Sequence, residues 1–227
     1  MTPTDPPAVA DRPTASRNWL VLVVYTAAIF VSALLLFSVQ PLFTKMVLPR
    51  LGGSPAVWSV AMVFFQSLLL AGYAYAHYLI RIPGRMIPVA VHLVLLVVAL
   101  FTLPLSIAGG WGEPPNSGYA LWLLGLFAVS IGLPFFALAA NNPLLQAWFV
   151  RTGHPNGPDP YFLYASSNIG SFLALLSYPV LLEPLLTLRT QNLIWTGGYG
   201  LLIVLIAASA KNGSPIETAN RPSSQKA

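Results

Sequence analysis

Few side chains in this sequence could do chemistry, and most of them stand in or beside long apolar stretches. Gln40, Lys45, Gln66, Asn142, Asn168 and Glu183 are the candidates for holding a ligand. The amides both donate and accept hydrogen bonds, Lys45 could hold an anionic group, and Glu183 adds one carboxylate. Each has a structural role that competes with binding. A lysine at the edge of an apolar run commonly snorkels toward water. Glu183 lies close enough to Arg189 along the chain for a surface ion pair. His77 and His92 could relay a proton, or each could simply bond a neighbouring helix. Catalytic sets are missing. Aspartate occurs only at Asp5, Asp11 and Asp159, which leaves no paired carboxylates. There is no cysteine, no His/Glu pair at zinc spacing, no Walker loop and no G-x-G-x-x-G after a strand. No catalytic residue, metal or cofactor is therefore expected.

The elements that must position these residues follow from composition. Charged residues make up 7% of the 227-residue chain and hydrophobic ones 56%, whereas a soluble domain carries about 25% charged residues. Lipid is the solvent that such a chain needs. Charge-free windows run Asn18–Thr44, Leu51–Ile80, Met86–Gly112, Pro114–Val150, Pro160–Leu182 and Thr190–Ala210. Each exceeds the roughly 20 residues of a membrane-spanning helix. Unpaired backbone groups are not tolerated in lipid, and period-two alternation is absent, so helices are expected rather than a barrel. The fold class is all-α: a polytopic bundle with six spans near Trp19–Val39, Val57–Ile80, Met86–Leu105, Tyr119–Leu138, Phe162–Leu182 and Asn192–Ser209. The first run is too long for a signal-peptide core and is expected to be retained. The membrane domain covers 18–210, between polar cytoplasmic tails, 1–17 and 211–227, that are expected to be disordered.

Basic residues orient the bundle. With the N-terminus inside, Arg12, Arg17, Arg81, Arg85, Arg151, Lys211, Arg221 and Lys226 face the cytoplasm, against Lys45, Arg50 and Arg189 outside. This positive-inside bias places both termini in the cytoplasm. It also explains the net charge of +5 without nucleic acid, since no basic stretch could neutralise several phosphates. Trp19, Trp58, Trp111, Trp122, Trp148 and Trp195 all fall near expected span ends, as interfacial indoles do.

Two Pro motifs recur. Gln40-Pro41-Leu42 and Asn142-Pro143-Leu144 are offset by 102 residues, as are Gln66 and Asn168. A constant offset across three spans suits a three-plus-three inverted repeat. The prolines, with Gly132-Leu133-Pro134, either end helices at the interface or open them beside a substrate. Ser54 is placed to cap the second span, and Asp159 the fifth with Pro160 at its first position. Small residues in spans two and five, among them Gly72, Ala76, Ser166 and Gly170, permit close approach, across which Gln66 and Asn168 could bond.

These loops and turns resemble a known family. Gln40-Pro41 to Gly52-Gly53-Ser54, Trp58, Phe65-Gln66 and Gly72-Tyr73-Ala74-Tyr75-Ala76-His77 are similar to the membrane region of bacterial spermidine-synthase-like proteins. So are Gly132-Leu133-Pro134, Pro143-Leu144-Leu145-Gln146, Arg151 to Pro155, Asp159 to Ser171 and Glu183-Pro184. The resemblance implies a bacterial inner-membrane module similar to half a major-facilitator transporter. It also implies a cytoplasmic aminopropyltransferase-like partner that the module anchors or serves. The family's synthase residues have no counterparts here, so catalysis is not expected of this chain alone. The competing expectation is a half-size transporter of a small metabolite or polyamine that works as a homodimer.

Overall fold

The computed structural model describes residues 12–84, 86–115 and 117–212, and every regular element among them is helical. We number six helices: α1 Arg12–Leu51, α2 Pro55–Arg81, α3 Met86–Leu100, α4 Tyr119–Val150 and α5 Tyr161–Leu185, and α6 Leu188–Asn212. Helix α1 begins at Arg12, inside the segment expected to be a disordered tail. The rest of that tail, and all of the C-terminal one beyond Asn212, lie outside the described residues.

Five of the helices are long and apolar enough to cross a membrane. Helix α3 differs. Its 15 residues rise only about 22 Å at 1.5 Å each, short of the ~30 Å of hydrocarbon. The expected span to Leu105 is thus shorter by a turn and more. The chain leaves the helix through a turn in which Thr102 N–H bonds Ala99 O and Leu103 N–H bonds Leu100 O. An irregular arm, 101–118, then returns to α4. Backbone without a helix must find other partners when it is buried, and the arm finds them in side chains. Asn192 of α6 accepts from Leu105 N–H at 3.0 Å and donates to Leu105 O at 2.7 Å. Ser130 Oγ of α4 accepts from Ala108 N–H at 3.0 Å. Trp111 donates to Trp122 O at 3.2 Å and lies over Gly125, where a Cβ would come within 2.7 Å of the indole.

The prolines do not end helices. Pro41 and Pro49 lie inside α1, and Pro143 lies inside α4. Buried neighbours hold the chain in line: Val39, Leu42 and Phe43 around the first motif, Leu144 and Leu145 after the second. The expectation that these motifs terminate their helices is corrected by that packing. Wide π-type turns form instead at 128–132 in α4 and 178–182 in α5. In the second, Glu183 N–H bonds Tyr178 O, five residues back. Pro134 follows the first turn and Pro179 lies within the second, and both lack the N–H that a regular ladder requires.

Helix α1 packs on α4, α5 and α6, while α2 packs on α4, and α3 on α4 and α6. Two glycines set the closest approaches. A Cβ on Gly170 of α5 would stand 2.6 Å from Phe30 O and 3.3 Å from the Ala33 Cβ of α1. A Cβ on Gly72 of α2 would stand 2.6 Å from the Ala139 Cβ and 3.2 Å from Phe136 O of α4. The small faces of α2 and α5 therefore meet α4 and α1, not each other as expected. Between them lies an aromatic core in which Phe127 touches Phe43, Phe64 and Phe65. Trp148 and Trp195, expected at the interface, are buried in this interior.

At the loops, Ser54 caps α2, accepting from Val57 N–H at 3.4 Å with Pro55 at the first position. Asp159 does not cap α5. Its N–H is drawn into a turn with Asn156 O, and Pro160 stands at the cap without a side-chain bond.

Candidate functional site

A cleft of about 580 Å³ opens between α1, α2 and α5 and takes in Gln40, Lys45, Gln66 and Glu183. Its volume falls within the few hundred to a thousand Å³ typical of small-molecule sites. Helical periodicity assembles it. Phe37, Gln40, Pro41, Thr44, Lys45 and Leu48 form one stripe of α1, and Trp58, Ala61, Met62, Phe65 and Gln66 form one stripe of α2. From α5 come Leu175, Tyr178, Pro179 and, at the end of the wide turn, Glu183.

Lys45 Nζ donates to Glu183 Oε1 at 2.8 Å, with 33% and 47% of the two side chains exposed. Glu183 is thus paired across helices with Lys45, and the expected pair with Arg189 is not formed. The reason is geometric: the wide turn leaves Glu183 facing α1, whereas Arg189 belongs to the next helix. A pair so exposed contributes only about 0–1 kcal/mol, so a ligand could compete for either charge at little cost. Pro41 and Pro179 lack the N–H groups that Phe37 O and Leu175 O would accept in a regular helix, and all four residues line the cleft. Thr44 Oγ1 turns back to Gln40 O at 2.8 Å. The lining thus offers one carboxylate, one ammonium, two amides and an aromatic wall of Phe37, Trp58, Phe65 and Tyr178. Such a lining suits reversible binding of an amphipathic molecule.

The two remaining candidates lie elsewhere. Asn142 Nδ2 donates to Ser167 Oγ at 2.7 Å and ties α4 to α5. Asn168, the next residue on α5, is exposed. Gln66 and Asn168 are not joined, because α2 and α5 pack on different helices. Tyr178 is a lining residue that sequence reasoning missed; its spacing from Leu175 and Glu183 along one apolar run was the available signal.

A second polar group is internal. His92 Nε2 and Asn141 Oδ1 are 2.7 Å apart, and both residues are fully buried. The rings of Tyr75 and Trp148 flank the imidazole, with centroids 5.9 and 6.0 Å away. His77 is exposed on α2, so the two histidines form no relay, and His92 bonds a neighbouring helix. The pair has a measurable consequence. His92→Phe or Asn141→Leu alone should each cost about 1–3 kcal/mol, because the surviving partner is left buried and unbonded. The double variant should cost less than the sum. Thermal unfolding in detergent reads both, and strict additivity would show that the bond contributes no coupling.

Comparison with protein-family models, curated proteins and solved structures finds no match for this chain.

Proposed function

We propose that this multi-pass membrane protein binds a small amphipathic ligand in the α1/α2/α5 cleft. In this reading it is the membrane module of a spermidine-synthase-like system in the bacterial inner membrane, and it anchors or supplies a cytoplasmic aminopropyltransferase-like partner. The observation that carries the binding claim is the convergence of Gln40, Lys45, Gln66 and Glu183, from three different helices, on one cleft. The sequence resemblance carries the partner. Helix α3 with its arm is the third of six crossings, both termini are cytoplasmic, and the cleft opens near the outer end of the bundle, where α1 ends and α2 begins.

A half-size carrier acting as a homodimer is the second reading. It is favoured by the two matched glycine contacts, each against a Phe carbonyl and the Ala three residues later, on α4 and on α1. Such a match supports a three-plus-three arrangement of the helices, but Phe30 to Phe136 and Gly72 to Gly170 each lie about one helical turn away from the 102-residue offset of the Pro motifs.

Purified protein titrated with putrescine and spermidine tests the cleft. Saturation at 100 times Kd should stabilise by about 2.7 kcal/mol, and Glu183→Gln should abolish most of that gain. Absence of stabilisation by any amine or amphipathic metabolite would count against a binding cleft. Uptake into proteoliposomes would favour the carrier, while co-purification of an aminopropyltransferase-like protein would favour the module. A C-terminal phosphatase fusion should be inactive; activity would overturn the orientation.

A further inference from the structure

A second charged depression, of about 440 Å³, lies where the end of α1, the arm and the start of α6 meet. Arg50 comes from α1, Ser106 from the arm, and Arg189 and Asn192 from α6, with Met46 and Leu188 supplying apolar wall. No carboxylate lines it. The acid nearest to Arg189 in sequence, Glu183, is engaged by Lys45. Arg50 also borders the neighbouring depression that contains Glu113, but no ion pair joins them among the described residues. Two exposed guanidinium groups thus share one concave site without an anion of their own.

The site is also held in shape. Asn192 bonds both the N–H and the C=O of Leu105, and Ser130 bonds Ala108 N–H, so the arm is pinned on both sides of Ser106 and Ile107. Arg189 stands in the first turn of α6, a 25-residue helix, where the helix dipole adds positive potential. Thr187 already caps this end, accepting from Thr190 N–H and Gln191 N–H, so the guanidinium groups are the main donors on offer. Planar guanidinium forks match the paired oxygens of a phosphate group, singly or together.

We infer that Arg50 and Arg189 form a phosphate-binding site at this end of the bundle, independent of the α1/α2/α5 cleft. The phosphate belongs either to a phospholipid headgroup, whose acyl chains would run past Met46 and Leu188, or to a soluble phosphate compound.

The test uses the full chain in non-ionic detergent with three probes: phosphatidylglycerol, a diacylglycerol with the same chains, and inorganic phosphate. Lipid retention is read by native mass spectrometry and phosphate binding by thermal shift. Retention of phosphatidylglycerol over diacylglycerol that falls at least about tenfold in Arg50→Gln/Arg189→Gln supports the site and names lipid as the source. Stabilisation by inorganic phosphate that the same double variant loses supports it with a soluble source. Arg50→Lys/Arg189→Lys keeps charge without the fork, should give an intermediate loss, and serves as the reading if the glutamine variant does not fold. Equal retention of both lipids, or retention unchanged in the double variant, with no arginine-dependent response to phosphate, would overturn the inference.

Discussion

Gly170→Val should cost at least about 3 kcal/mol and detach α5 from α1. At this position even a methyl group would stand 2.6 Å from Phe30 O, a backbone atom that cannot rotate away. The branched side chain would force the helices apart along the whole contact. Overpacking in a yielding core costs about 1–3 kcal/mol, and a collision with backbone belongs at the upper end or beyond. In lipid the close approach is itself the source of stability, because apolar side chains gain nothing by leaving lipid for protein. Gly72→Val should behave similarly against Ala139 and Phe136 of α4. Gly197→Val is the control: the residue is exposed and a Cβ there would meet nothing within 4 Å. Unfolding of each variant in mixed micelles measures the difference. Equal stability of the Gly170 and Gly197 variants would show that the α1/α5 contact is not close-packed.

The small residues that make these contacts were visible in the sequence, but their partners were not. Apolar length says that α2 and α5 are membrane helices, and Gly72 and Gly170 say that each touches something. Nothing local says that the neighbour is α4 in one case and α1 in the other. The prolines show the same limit. Pro41 and Pro143 carry a strong local signal to stop a helix, yet buried side chains on either side keep α1 and α4 running. Tertiary packing overrides a local cost of about 3 kcal/mol. Glu183 was read against Arg189 because they are close in sequence, whereas the wide turn before it directs the carboxylate to Lys45, 138 residues away. By contrast, Ser54 and Pro55 decide the start of α2 with atoms within three residues of each other, so a local pattern suffices there. Four ligand candidates were legible as polar residues in apolar surroundings; their convergence depended on helix pairing, which no local pattern encodes.

Asn192→Leu should be the most damaging single change outside the glycine contacts, at about 2–5 kcal/mol. The side-chain amide imitates a backbone strand: it accepts from Leu105 N–H and donates to Leu105 O at the same time. Leu105 is 3% exposed, so water cannot replace those bonds without opening the arm. Leucine keeps the bulk of the side chain but leaves two backbone groups unpaired, each costing about 1–3 kcal/mol. Asn192→Asp separates the two bonds. The carboxylate can still accept from Leu105 N–H but has nothing to donate to Leu105 O, so the aspartate variant should fall between wild type and leucine at neutral pH. Hydrogen exchange at Leu105 and Ala108 locates the effect. Loss of protection at both amides in Asn192→Leu, with the Ser130 bond to Ala108 released as the arm lifts, is the expected result. If Leu105 exchanges slowly in the leucine variant, the arm is held by its apolar contacts and needs no amide from α6.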